Sequence, residues 1–456
     1  MKTISSGRVI GARRAMGGYS AIVKVQETDV WAEDEYGGTI AEGEAGVGDA
    51  EVIQKAVDYV HSKGGGEVRI REGEYSISST VSLKERVFLR GAGGHSKSTI
   101  LKLAADLDRF ISIAGTTSDK LSYWGLGGIY IDGNNRAYSG DALYFENVNE
   151  PNIIEDIVIY NHRGTCMHFK NACWNLQHIR NVTFRLSGDS STIGEGHSDK
   201  PAILLESDDG TNIPKDIVFT QVYAENGYGV FFSSYSTTKR QGGGIVFIGG
   251  KIEKFPCRDF VNAEIPAFKI GYLCNTRVIG MYIIQPAGDG FYVYQAPLKF
   301  IGGYILDWGD NSYAFNIEKA YIGTEIICNT IKDVSGVSGA HVRIGSTSGQ
   351  ESVEKTTLII NAWTNKNIVN ETSYLPKMEL SKGIGEIRNS GTATIASGTT
   401  SVTVSHGLVK APSKVLVTPR GNIGSVWVSN VTDTQFTINC SSAPTEDVQV
   451  DWYAEV

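Results

Sequence analysis

Apolar residues follow two rhythms along this chain. The first is helical and brief. Val52, Ile53, Ala56, Val57 and Val60 line one face of a 3.6-residue repeat. Asp49 stands where a side chain caps a helix start, and Gly64-Gly65-Gly66 stands where a helix stops. The spacing predicts one helix near residues 49–62. The second rhythm belongs to strands. From about residue 67 to 370, apolar runs rich in Val, Ile, Phe and Tyr recur with Gly, Asn and Asp between them. A shorter alternating piece, Ser20 to Val25, predicts a strand ahead of the helix.

The strand runs repeat as phrases. Phe247-Ile-Gly-Gly-Lys-Ile252 resembles Val278-Ile-Gly-Met-Tyr-Ile-Ile284, Phe300-Ile-Gly-Gly-Tyr-Ile-Leu306 and Tyr321-Ile-Gly-Thr-Glu-Ile-Ile327. A second phrase runs Ala142-Leu-Tyr-Phe-Glu146, Cys166-Met-His-Phe-Lys170, Ala202-Ile-Leu-Leu-Glu206. Intervals of 21 to 36 residues, each holding two or three short strands, are the signature of a solenoid. No leucine-rich pattern is present, and propeller blades would be longer. A parallel β-helix of roughly eleven coils fits, about 50 Å long at the usual strand spacing.

Near residue 383 the texture changes. Thr392-Ala-Thr-Ile, Ser401-Val-Thr-Val-Ser, Lys414-Val-Leu-Val-Thr, Val426-Trp-Val-Ser, Phe436-Thr-Ile-Asn and Val448-Gln-Val-Asp-Trp-Tyr-Ala alternate strictly. Six such strands predict a small antiparallel sandwich that ends in its last strand. The expected organisation is a head over residues 1–33, a β-helix over 34–382 and a sandwich over 383–456.

Composition bears on this reading. Glycine is 53 of 456 residues, about 12% against an ordinary 7%, while proline is only 11. Tight turns need glycine, and strands paired on both sides exclude proline. A 41% apolar content excludes disorder, and a net charge of −8 argues against nucleic-acid binding. No apolar run is long enough for membrane insertion. The six cysteines match no zinc or redox spacing, so they read as buried thiols of a chain folded in a reducing cytoplasm. The basic N-terminus lacks an apolar segment, and no signal peptide is expected.

Two stretches carry a family likeness. Gly46-Val-Gly-Asp49 through Asp58, then Gly64-Gly-Gly-Glu-Val-Arg-Ile, Glu72-Gly-Glu-Tyr75 and Leu89-Arg-Gly-Ala-Gly93, resemble the start of the pectate-lyase-like superfamily. The likeness implies an all-β fold, a right-handed parallel β-helix capped by the N-terminal helix. Arg71-Glu72-Gly73-Glu74-Tyr75 departs from the family phrase by lacking its proline. The second stretch, Ser401-Val-Thr-Val-x-His406-Gly-Leu with Trp427-Val-Ser-Asn-Val-Thr, is similar to terminal modules of phage tail-fibre and tailspike proteins, and faintly to trimeric H-type lectins. Together they imply a homotrimeric tailspike in the virion tail. It would join the phage tail baseplate or an adaptor through the N-terminal head and act on a bacterial surface polysaccharide. The C-terminal sandwich would cover the open strand edge of the last coil and hold three chains together.

No HExxH, GxSxG or P-loop motif is present, and no metal or cofactor is expected. Aligning the phrases places Glu146, Lys170 and Glu206 in one outward column, continued by Ser233 or Ser234, Glu264, Gln295 and Asn316. Tyr144, His168 and Leu204 form another, and Asp132, Tyr160, Arg185, Glu225, Lys254, Gln285 and Asp307 a third. An acidic insertion from Ser187 to Lys200 overhangs these coils. Hydrolysis of a glycoside needs a carboxylic acid and a second carboxylate. The candidates are Glu206, Glu225, Asp199 and Asp189. Arg185, His168, Lys170, Tyr160, Trp174 and Tyr228 would hold the sugar, with Lys170 bridging Glu146 and Glu206. Alternatives are a lyase of the same fold, cleaving a uronate polymer with Arg185, Lys170 and His168, or a binding-only adhesin.

Overall fold

In the computed structural model, residues 20–150, 152–189, 200–208, 212–236, 243–257, 265–271, 275–309, 312–319, 323–332, 341–346, 348–360, 368–372, 376–380, 388–408 and 411–456 are described. They form two compact units, each taken here by itself. The larger is a parallel β-helix. Two sheets run its length, a wide one of 20 strands and a narrow one of 11 among the described residues. The narrow sheet takes one strand from each coil, from Val81–Ser82 to Ile368–Asn370. Successive strands pair in parallel register, as in Leu143↔Met167↔Ile203↔Phe232↔Phe268↔Phe291↔Phe315↔Val342.

That register explains the core. Equivalent inward residues of neighbouring coils lie one strand spacing apart, so like stacks on like. Phe145 stacks on Phe169 at 4.7 Å and Phe219 on Phe247 at 4.8 Å. Phe291 sits between Phe268 at 4.6 Å and Phe315 at 5.1 Å. Each stack buries two ring faces in a strip of Val, Ile and Leu.

The wide sheet bends sharply along a line of residues with positive φ: Gly128, Asp156, Asn181, Gln221, Gly249, Gly280 and Gly302. The early coils cross the bend as one long strand, such as Asn152–Tyr160. Later coils use two, such as Asn275–Ile279 and Tyr282–Ile284. Each coil therefore shows three faces. A second line of positive φ follows the wide strands at Asn161, Leu186, Asn226, Lys254, Gln285 and Asp307. Glycine is thus only part of the corner chemistry. Asn and Asp, which tolerate the left-handed region, share it. Some of the glycine excess serves close approach instead. A Cβ on Gly140 or Gly164 would collide with the carbonyl oxygen of Leu107 or Gly140.

The predicted helix spans Asp49–Ser62 and buries Val52, Ile53, Ala56, Val57 and Val60. Its start differs from expectation. No side chain caps it. The buried Asp49 carboxylate instead accepts the N–H of Gly46 at 3.0 Å and of Ser76 at 2.6 Å, tying the helix start to the strand Gly73–Ile77. The strand expected in a separate head is Ala21–Gln26, and it pairs with a second strand, Asp29–Asp34. The first also continues the wide sheet beside Gly66–Ile70. The boundary at residue 33 therefore falls inside the sheet. Residues 1–19 lie outside the described residues.

The smaller unit contains the six expected strands as two antiparallel three-stranded sheets. Val448–Glu455 lies between Arg388–Ile395 and Lys414–Pro419, and Gln435–Cys440 between Ser401–Ser405 and Val426–Ser429. Ile395, Phe436, Ile438, Val450 and Trp452 form its core. Five cysteines are described, all buried and none in a disulfide among the described residues. Among the described residues no helix is long and apolar enough to cross a membrane.

Stacked rings inside the coils and stacked rings outside them should differ in energetic weight. Phe291→Ala is expected to lower unfolding stability by about 3–5 kcal/mol. Tyr282→Ala removes an exposed stack on Tyr304 at 4.8 Å and is expected to lower it by under about 1.5 kcal/mol. Denaturant unfolding of both variants checks the contrast.

Candidate functional site

The outer face of the narrow sheet gathers titratable groups where the strands Asp141–Glu146, Met167–Lys170 and Ile203–Ser207 lie side by side. Alternation points Leu143 and Phe145 inward and Tyr144 and Glu146 outward. The next coil follows with His168 and Lys170, and the third with Leu204 and Glu206. His168 is at the centre, only 8% exposed. Its Nδ1 lies 2.7 Å from Asp141 Oδ2, from the coil before, and its Nε2 lies 2.9 Å from Glu206 Oε2, from the coil after. One imidazole thus ties three coils together.

The surroundings complete the cluster. Tyr144 meets the His168 ring edge-on at 5.2 Å and donates its hydroxyl to Glu146 Oε2 at 2.8 Å. The guanidinium of Arg109 covers the Tyr144 ring at 3.6 Å. Lys170 Nζ lies 3.1 Å from Asp208 Oδ1. Asn171 donates to both Glu146 and Asp208. An open depression of about 550 Å³ adjoins at Arg109, lined also by Thr80, Ser82, Asp106, Leu107, Asp108 and Ser112.

Electrostatics shifts the titration of these groups. Burial alone would depress the His168 pKa, but hydrogen bonds donated to Asp141 and Glu206 outweigh it and raise the value above the ordinary 6.5. His162, fully buried and without such partners, is pushed down to about 4 by burial. Burial, with the Glu146 hydrogen bond, drives the Tyr144 phenol well above its usual range, and Arg109 opposes the rise only in part. Lys170 is raised despite burial, through Asp208 and the charges of Glu206 and Glu146. The cluster therefore presents an ammonium, a protonated phenol and an imidazole that holds its proton more tightly than usual.

The expected site residues fall into several groups. His168, Lys170 and Glu206 come together here. Lys170 pairs with Asp208 rather than bridging Glu146 and Glu206. Glu225 does not join them, because its strand Ile217–Glu225 belongs to the wide sheet, where it pairs with Arg185 at 3.0 Å beside Tyr160. Asp189 lies in the turn after the wide-sheet strand Ile179–Arg185, 2.8 Å from Arg163 Nε, and Tyr228 stacks under the Arg136 guanidinium at 3.6 Å. Trp174 lies between Lys120 and Lys215, with ammonium groups 4.1 and 4.3 Å from its ring. Asp199 and most of the acidic insertion lie outside the described residues.

The column alignments hold for their first members and then slip. Glu206 is followed by Tyr235, not Ser233 or Ser234, and Leu204 by Ser233. Asn316 pairs with Tyr292 rather than following Gln295, and Glu264 lies outside the described residues. In the third column Glu225 is followed by Glu253, Ile284 and Leu306, one position short of Lys254, Gln285 and Asp307. Sequence reasoning missed Asp141 and Arg109. Asp141 directly precedes the Ala142–Glu146 phrase, and that position was the available signal.

A second depression of about 610 Å³ on the wide sheet is lined by Lys24, Arg69, Arg71, Arg90 and Glu72. All four of its cations are held in ion pairs, with Glu33, Glu67, Glu72 and Glu155.

No protein-family model matches the chain. Alginate lyase 7 of Azotobacter vinelandii is 30% identical over 111 residues, which is 22% of this chain and 13% of the lyase. The chain therefore matches only about an eighth of that relative's length. Among solved structures, ORF18 of Geobacillus virus E2 aligns over 89% of this chain and 73% of its own, with a TM-score of 0.50 and 16% identity. A tailspike protein of the E. coli bacteriophage HK620, solved in complex with a pentasaccharide, aligns over 93% of this chain and 92% of its own, with a TM-score of 0.42 and 12% identity. The likeness to ORF18 is one of fold.

The raised His168 pKa links this cluster to stability. Folding binds the His168 proton more tightly than the unfolded chain does. The stabilisation is therefore fully present below the unfolded value of about 6.5 and fades as pH rises through the raised folded value. Denaturation of wild type and His168→Gln at pH 6 and pH 9 is expected to show the larger stability gap at pH 6.

Proposed function

We propose that this chain is a tailspike-like protein that binds an acidic, uronate-containing polysaccharide across the outer face of the narrow sheet and cleaves it by β-elimination. The observation that carries the reading is the imidazole of His168, held between Asp141 and Glu206 beside the Tyr144 hydroxyl.

β-Elimination has three requirements. Positive charge must neutralise the uronate carboxylate, so that its α-proton becomes acidic. A base must take that proton, and an acid must protonate the departing glycosidic oxygen. The raised His168 and Lys170 supply the charge, and Arg109 adds a third cation from the preceding coil. Glu206, its side chain 29% exposed against 13% for Asp141, is assigned as the base. Tyr144, which keeps its proton, is assigned as the acid, its phenolate regaining a proton from water after the leaving group departs. Glycoside hydrolysis would instead need a carboxylic acid as the proton donor, a role that the Tyr144 phenol takes in this reading.

The alignment with an alginate lyase supports a polyuronate substrate, because alginate is a polymer of uronic acids. The likeness to a viral structure and a phage tailspike is consistent with a homotrimer in a phage tail, joined through the N-terminal residues to a baseplate or adaptor and acting on a bacterial surface polysaccharide.

Incubation of the full chain with alginate and with pectate tests this. The expected products carry unsaturated ends, read by their ultraviolet absorbance. Glu206→Gln and Tyr144→Phe are each expected to lower kcat by about 10²–10⁴-fold. New reducing ends without unsaturation would replace the reading with hydrolysis. Unchanged polymer size across acidic glycans would leave a binding protein.

A further inference from the structure

A second histidine cluster lies on a different face. The loop Gly91–Ser98 folds over the wide sheet and is anchored at its bend, where Asp156 accepts the N–H of Gly94 at 3.0 Å and of His95 at 3.3 Å. His95 then reaches across two coils. Its Nδ1 lies 2.6 Å from Asp156 Oδ1, and its Nε2 lies 2.9 Å from the Thr183 hydroxyl. A carboxylate on one ring nitrogen and a hydroxyl on the other is the nucleophile–base–orienter arrangement of acyl-transfer enzymes.

The roles follow from the contacts. Asp156 stays ionised, because the His95 ring and the two backbone N–H groups outweigh its burial and hold its pKa below the ordinary value. It fixes the His95 proton on Nδ1 and leaves Nε2 free to accept from Thr183. Thr183 points outward from the strand Ile179–Arg185, and its register neighbour in the next coil is Tyr223, 41% exposed. A sugar ring lying on Tyr223 would place an ester substituent over the Thr183 hydroxyl. Arg185, two residues further along the same face, brings positive charge for an oxyanion.

We propose that Thr183, His95 and Asp156 form an ester-hydrolysing site that removes acyl groups from a sugar. Thr183 Oγ1 bonds to the acyl carbon while its proton passes to His95 Nε2. The C–O bond to the sugar breaks, and the departing oxygen takes that proton. Water, deprotonated by the same Nε2, then splits the acyl-threonine, releasing a carboxylic acid and restoring the hydroxyl. The site shares no residue with the cluster around His168.

The test uses the full chain and 4-nitrophenyl acetate, so its outcome does not depend on glycan cleavage. Wild type is expected to turn over the ester, with a quenched reaction showing one acetyl group on the peptide that carries Thr183. Thr183→Val and His95→Asn are expected to lose about 100-fold or more of the rate. Thr183→Ser, which keeps the hydroxyl, is expected to retain turnover. Wild-type rates in Thr183→Val or His95→Asn, acetylation confined to other peptides, or no wild-type turnover above buffer would each overturn the proposal.

Discussion

The hydrogen-bonded register between one coil and the next is the constraint on which this structure rests. Every strand in the middle of the solenoid pairs on both sides, in parallel, with no free choice of offset. A slip of one residue would turn Phe145 outward and Glu146 into the core. Fixing the register therefore fixes both surfaces at once. Inward it produces rings on rings at 4.6 to 5.1 Å. Outward it brings charges from different coils within reach of one side chain. His168 is the clearest product, since neither of its carboxylates comes from its own strand.

The corners keep the register. A turn residue held at positive φ at the same place in seven successive coils lets the following strand begin in the same phase. Asp156 at the wide-sheet bend also accepts two N–H groups and a histidine from the Gly91–Ser98 loop. A corner that sets the winding of the chain thereby also orients a potential base.

Legibility in the sequence follows from how local each feature is. The helix was readable because its apolar spacing and its glycine stop lie within one short segment. The six sandwich strands were readable because each alternates on its own. The coils were readable as phrases, and the first members of each column align correctly. Farther along, small irregularities accumulate, such as the register shift between Val293 and Tyr294. Phrase matching cannot follow such a shift, because it leaves no mark on composition. Grouping Glu206 with Glu225 failed for a related reason. The two acids are close in sequence, but the chain turns a corner between them and delivers them to different sheets.

The two histidine clusters show why geometry, not residue type, decides chemistry on such a surface. Both rings contact a carboxylate through Nδ1. They differ at Nε2. In His168 a second carboxylate waits there, so the ring does best as a cation with both protons engaged and has no lone pair to offer. Its natural use is to supply charge and to hold three coils in place. In His95 a hydroxyl waits there, which can donate to a ring nitrogen that carries no proton. Its natural use is to take a proton. The difference comes from which side chain lies against Nε2, a glutamate of the narrow sheet for one ring and a threonine of the wide sheet for the other.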